Sequence, residues 1–266
     1  MRIALLQMQA ALGDIDGNLK TIEQAAAASV AAGVSLLVSP ELSVTGYGLG
    51  ETIKIIAQPR DGEIVSRLQG LADRSGLAIC AGFPERDGAD IYNTAVVVQR
   101  SRSAEFYRKC HLYGPMEKAV FRPSDAAPHV FDLGGLKAGL LICYDVEFPE
   151  MARHLALAGA DLLIVPTALP ASPNNRRVSE MMVPSRAMEN QVFVAYADLC
   201  GRDALFDYEG CSVIAAPDGD ILARAGRGQT LLFADLDLQA YADCKAELPY
   251  LGERRPELYG ALARVP

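Results

Sequence analysis

Lys137-Ala-Gly-Leu-Leu-Ile-Cys143-Tyr-Asp-Val-Glu147-Phe-Pro149-Glu150 is followed by the alanine-rich run MARHLALA at 151–158 and by the apolar LLIV at 162–165. The apolar run through Ile142 reads as a strand. Pro149 opens a helix that runs to Ala158, because a proline at the first helical position lacks only an N–H that would have no partner there. The apolar run at 162–165 reads as a second, buried strand. Strand, helix and strand in that order form a β-α-β unit, and the thiol of Cys143 stands where its first strand gives way to the turn.

Working outward, the N-terminus repeats the pattern, with a β-rich run at 2–7, a helix over 18–32 and an apolar run at 35–38. Helical character returns over 62–75. Strands are expected at 78–83, 92–99 and 104–109, the last two as a hairpin, and a Gly134-Gly135 turn joins 130–132 to 137–143. A helix over 178–190 and strands at 192–197, 211–216 and 231–236 complete the series before a polar, proline-containing tail from about 249. Strands interleaved with helices argue for an α/β layered fold, and the hairpins require mixed rather than purely parallel sheets. Two sheets covered by helices, in one domain spanning 1–266, accommodate this many strands. No internal repeat is visible in the residues.

Composition narrows the function. The chain has 266 residues, half of them hydrophobic, and a net charge of -8. That is enough to bury a large core, and it offers no basic face for tracking phosphates, so nucleic acid is not an expected partner. The apolar N-terminal stretch is too short for a signal-peptide core or a membrane span, which predicts a cytoplasmic protein away from membranes. Six cysteines without a CxxC pair fit reduced thiols, most of them as buried small hydrophobes, better than a disulfide framework or a zinc site. The three histidines, His111, His129 and His154, have no metal-ligand spacing, and no metal is expected.

Three segments carry candidate chemistry. Cys143 ends an apolar strand just before a proline-initiated helix, a junction that resembles a nucleophile elbow. There the backbone N–H of Tyr144 can point at a developing oxyanion. Glu41, in Val38-Ser-Pro-Glu41-Leu-Ser-Val-Thr-Gly46-Tyr47, follows an apolar strand at the edge where α/β folds place ligands, and partial burial would raise its pKa toward that of a general base. In Glu105-Phe-Tyr-Arg-Lys109-Cys110-His111, alternation puts Glu105, Tyr107 and Lys109 on one face. An ammonium there could depress a thiol pKa or hold the charge of a tetrahedral intermediate. Taken singly, each has a duller reading: a packing cysteine, a solvated loop glutamate, a solvated strand-end lysine. Gly46-Tyr-Gly48-Leu-Gly50 lacks the Lys-Ser/Thr ending of a phosphate loop and reads as a flexible turn beside the site. Met181, Met182 and Met188, at helical spacing, read as packing residues.

Taken together, SPELSVTGY, YRKCHLYG and ICYDVEFPE resemble, in order, the glutamate, lysine and cysteine motifs of the nitrilase superfamily, the carbon-nitrogen hydrolases. The resemblance extends over nearly the whole chain, including RIALLQMQ, Tyr92-Asn93-Thr94 and the segment 158–166. It implies an α-β-β-α sandwich of two mixed sheets flanked by helices. It also implies a homodimer or higher homo-oligomer, and the tail, 249–266, is a candidate for reaching across to a neighbour. By this likeness Glu41 is the base, Lys109 the oxyanion-stabilising cation, Cys143 the nucleophile, and Glu117, in GPMEKAVF, an assisting carboxylate. A Glu, Lys and Cys set supplies what amide cleavage needs, with water completing turnover and no metal or organic cofactor required.

Members acting on carboxylate-bearing substrates commonly have Arg at the position of Glu147. Here the charge is reversed, which favours a cationic, amine-bearing amide unless Glu147 instead pairs with Arg153. The run CYD-x-EFPE is similar to that of the 5-aminopentanamidase group and of stereoselective amidases, which points to an amide such as 5-aminopentanamide, with Tyr47 and Glu147 at the substrate. Relatives usually carry Asn at the position of Asp198. The alternatives are an N-carbamoyl amine hydrolase, a nitrilase, or a non-catalytic interaction protein that kept the fold.

Overall fold

The computed structural model describes residues 1–261. Its twelve strands form two six-stranded sheets. The first has the order β12-β1-β2-β3-β4-β5, built from β1 (Arg2–Gln7), β2 (Leu36–Val38), β3 (Ala78–Asp87), β4 (Asp90–Val98), β5 (Glu105–Arg108) and β12 (Thr230–Asp235). The second, of order β11-β10-β9-β8-β7-β6, contains β6 (Val130–Leu133), β7 (Leu136–Leu140), β8 (Leu162–Thr167), β9 (Phe193–Asp198), β10 (Val213–Ala215) and β11 (Ile221–Arg224). The central pairings β1/β2, β2/β3, β7/β8 and β8/β9 are parallel and the flanking ones antiparallel. Both sheets are therefore mixed. They also share one pairing pattern, a repeat of architecture that the residues do not display.

Strand alternation sorts the core into layers. Ile3, Leu5, Leu36, Val38 and Val97 of the first sheet join the second sheet in one apolar cluster. Their neighbours Ala4, Leu6, Leu37, Ile79 and Val98 face α1 (Ile15–Ala31) and α3 (Glu63–Ser75), whose Leu19, Ile22, Ile64 and Leu68 cover them. On the far side, Leu155 of α5 (Pro149–Leu157) and Val183 and Ala187 of α6 (Val183–Asn190) cover the second sheet. The result is the layered α-β-β-α sandwich. Shorter helices α2 (Ile53–Ile56), α4 (Gly114–Val120) and α7 (Ala242–Glu247) complete the set. Among the described residues no helix is long and apolar enough to cross a membrane.

Several expectations need correction. Helix α1 starts at Ile15 rather than 18, because the Asp14 carboxylate accepts the Gly17 N–H at 2.9 Å and caps it. Strand β3 runs on to Asp87 and forms its own hairpin with β4, since Glu85 is buried and ion-paired by Arg60 and Arg108. The strand leading to Cys143 stops at Leu140. Helix α4 went unread because it is short and opens with Gly-Pro. The glycine-rich turn is packed, not loose: Gly46 to Gly48 are buried, and the Gly48 N–H donates to Asp203 at 3.0 Å. Met181, Met182 and Met188 are not core residues, for Met181 is 61% and Met188 41% exposed. Cys80, Cys143 and Cys200 are buried, whereas Cys110, Cys211 and Cys244 are only partly so, and all six are free thiols. The expected tail turns at Pro256–Leu258, and 262–266 lie outside the described residues.

Candidate active site

In each sheet the central strands are parallel, β2 with β1 and β7 with β8, and the chain leaving the carboxyl ends of β2, β7 and β8 contributes to one buried cluster, as parallel strands in α/β folds do. After β2, Pro40 leads to Glu41, and Leu42 takes a left-handed φ of 47°. The backbone here lies so close to β3 that a Cβ on Gly82 would come within 2.3 Å of the Leu42 nitrogen. Glycine is thus required at 82 for Glu41 to sit where it does. The Glu41 N–H donates across to the Thr167 carbonyl at the end of β8, at 3.3 Å, so the site straddles both sheets.

Lys109 follows β5 and is fully buried. Its ammonium donates to Glu41 Oε1 and to Glu117 Oε1, both at 2.7 Å. Asn93 Nδ2 donates to the same Glu41 oxygen at 2.6 Å, while Glu41 Oε2 is buried with no hydrogen-bond partner. Glu117, on α4, also accepts from the Tyr47 hydroxyl and the Tyr113 N–H, each at 2.7 Å. One ammonium thus serves two carboxyl groups in a site closed to solvent.

Cys143 has a φ of 46°, a left-handed conformation unusual for a residue with a Cβ, and opens a 3-10 turn, Cys143–Glu147. Asp145 braces this turn: it accepts from the Ile142 N–H, the Tyr107 hydroxyl and the His111 N–H at 3.3, 2.9 and 2.8 Å. These bonds tie the elbow to the segment carrying Lys109. Arg186, from α6, holds the other end by donating to the carbonyls of Val146 and Glu147 at 2.9 and 2.8 Å. Tyr144 lies in the opening turn, where backbone N–H groups lack partners within the helix.

Burial governs the electrostatics. It pushes Glu41 up to about 7, reinforced by the charge of Glu117 and opposed by Lys109. Burial disfavours the Lys109 ammonium, but Glu117 and Glu41 outweigh it and hold the lysine charged. Burial and the Glu41 charge hold Cys143 well above the usual thiol range, against the pull of Lys109 and the Ala168 N–H. The resting nucleophile is a thiol beside a carboxyl that titrates near neutrality, as base-assisted attack requires.

The structure gathers Glu41, Lys109, Glu117 and Tyr47 by direct contacts, and Cys143 into their electrostatic reach. Glu147 is partly buried and makes no ion pair with Arg153 among the described residues; burial raises its pKa while Lys109 and Arg186 lower it. Sequence reasoning gave no role to Asn93, Asp145 or Arg186. Asn93, a buried amide in a strand that runs on into the apolar Ala95–Val98, carried a readable signal; Arg186, 43 positions beyond Cys143 in the chain, did not.

A family model described as carbon-nitrogen hydrolase matches residues 2–246. The chain belongs to the carbon-nitrogen hydrolases. A hydrolase in the pqqF 5' region of Pseudomonas protegens is 41% identical over 271 residues, covering 99% of this chain and 92% of that one. An (R)-stereoselective amidase of a Pseudomonas species is 33% identical, over 100% of this chain and 96% of the relative. An amidase from Nesterenkonia sp. has the same fold at a TM-score of 0.89 and 37% identity, with 98% and 96% of the two chains covered. In a glutamate-to-glutamine variant of that amidase, acrylamide has added to the active-site cysteine. The nitrilase-superfamily resemblance and the two-sheet sandwich are thereby established. The protein is a hydrolase of non-peptide carbon–nitrogen bonds, of the amidase type.

Proposed function

We propose that this carbon-nitrogen hydrolase cleaves a small, amine-bearing linear carboxamide, such as 5-aminopentanamide, through a thioester on Cys143, releasing ammonia. The observation that carries the reading is the buried contact of Lys109 with Glu41 and Glu117, beside an elbow that strains Cys143 into position. Glu41, through its unpartnered Oε2, takes the thiol proton as sulfur attacks the carbonyl carbon. Lys109 and the Tyr144 N–H stabilise the oxyanion. The carbon–nitrogen bond breaks as Glu41 returns the proton to nitrogen, and ammonia leaves. Water then attacks the thioester, Glu41 accepts its proton, and the carboxylic acid departs as the thiol is restored. Glu117 orients Lys109, and Tyr47 orients Glu117.

Selection for an ammonium rests on Glu147, whose carboxylate has no ion-pair partner among the described residues and stands near enough to Lys109 to feel its charge. Residues 1–266 form a single hydrolase domain with a tail from about 249, which works in a reducing cytoplasm. It works as a homodimer or higher homo-oligomer, joined through the exposed Leu157, Met181 and Met188.

The test is a panel of aminoalkyl amides, carbamoyl amines, nitriles and neutral amides, assayed with wild type, Cys143→Ala and Glu147→Arg. Cys143→Ala should lose roughly 10⁴-fold or more in kcat. Glu147→Arg should cripple the aminoalkyl amide and spare the neutral one. Equal loss on both would sink the charge-selection reading, and carbon dioxide release from the preferred substrate would turn the assignment to a carbamoyl amine.

A further inference from the structure

Asp198 closes β9 opposite Thr167, the last residue of β8. It has no exposed surface. Its Oδ1 accepts the Leu169 N–H at 2.8 Å, and its own N–H donates to the Ser212 hydroxyl at 2.9 Å. Its Oδ2 is buried with no hydrogen-bond partner. The groups around it come from several elements. Tyr196 is on the same face of β9, Glu41 comes from the chain after β2, and Tyr208, Glu209 and Cys211 come from the segment before β10, with Cys200 just past β9. The strongest charges acting on it, Glu41 and Glu209, are both carboxylates. The only ion pair of Glu209 among the described residues is with the exposed Arg227, at 3.8 Å.

The segment that Asp198 holds is the one against the nucleophile. Leu169 is fixed from both sides, its N–H by Asp198 and its carbonyl by the Glu209 N–H at 2.9 Å. One residue earlier is Ala168, whose N–H favours the Cys143 thiolate, and one before that is Thr167, whose carbonyl accepts the N–H groups of Glu41 and Leu199.

We propose that Asp198 is a positioning residue that works as a neutral carboxylic acid: its Oδ1 anchors Leu169 and thereby the Ala168 N–H at Cys143, and its Oδ2 keeps the proton. An ionised carboxylate here would add a third negative group to Glu41 and Glu209, whose charges act on it, and would oppose every anionic state of the reaction. Burial raises the Asp198 pKa well above the ordinary range, reinforced by Glu41 and Glu209 and only partly opposed by the N–H groups of Leu169 and Leu199, in keeping with this. The inference rests on the amidase chemistry at Cys143 but not on the identity of the substrate.

The test uses Asp198→Asn and Asp198→Ala in the full chain, with any neutral amide that wild type turns over. Asn keeps an oxygen for Leu169 and cannot ionise, so D198N should exceed D198A in kcat by at least about tenfold, with KM differing by less than about threefold. On the alkaline side, wild type should lose activity through a limb that D198N lacks. At neutral pH, the infrared difference between wild type and D198N should contain the carbonyl stretch of a protonated carboxylic acid. A carboxylate band in its place, or coincident alkaline limbs in the two proteins, overturns the proposal. So does a D198N no more active than D198A. The infrared measurement needs no turnover, so its failure is distinct from a failure of the amidase reading.

Discussion

Lys109 has no exposed surface, so its charge must be matched where it lies, and Glu41 and Glu117 do so at 2.7 Å each. Removing one partner of such a group is costly because the others remain buried and charged. Lys109→Met should lower stability by about 3–5 kcal/mol and kcat by roughly 10²–10³-fold. Calorimetry and steady-state kinetics check this, and a near-normal Tm would refute the pairing. Glu41 gives a pH prediction. With its pKa pushed up to about 7 and its ionised form required as base, kcat/KM should rise with pH through a midpoint near that value. The same shift sets a stability trend: the folded state holds the proton more tightly than the unfolded chain. Glu41's contribution is thus present below its ordinary pKa of 4.5 and is lost as pH rises through about 7. The Tm of Glu41→Gln relative to wild type should rise across that window.

At the scale of elements, the site depends on two left-handed turns, at Leu42 and Cys143, each entered from a parallel strand. The first is possible because β3 presents Gly82 to it. Gly82→Ala would force the Glu41 segment away from β3 and should reduce kcat/KM by more than about tenfold, by displacing the base. An unchanged value would mean that the segment gives way without moving the carboxylate. The second turn is held by Asp145 on one side and Arg186 on the other. The strands themselves were readable because they are apolar runs bounded by glycine and proline. Their ends were not: β7 stops before Cys143, and α4 is too short to show a period. Alternation placed Lys109 on the face of Tyr107, yet the direction in which it buries its charge depends on Glu117 coming from a different element.

Over the whole molecule, the exposed Leu157, Met181 and Met188 are the surface expected to be covered by a second copy. Light scattering on the purified protein should give at least twice the 28.5 kDa chain mass, and a single-chain mass would remove that reading. By itself the sequence determined the α/β class, eleven of the twelve strands and the longer helices in their order, and the motif positions of Glu41, Lys109 and Cys143; the short β11, α2, α4 and α7 escaped it. Apolar periodicity, turn residues and motif spacing are local, and they survive being read one window at a time. Only the tertiary structure decided that Glu117 and Asn93 share the lysine–glutamate contact, that Asp145 and Arg186 brace the elbow, and that Asp198 anchors the segment beside the thiol. It also decided that Met181, Met182 and Met188 face outward. Each of these is a relation between segments far apart in the chain, brought together by two sheets whose facing surfaces must be buried. Which polar groups then meet, and which lose their water, is set by that packing.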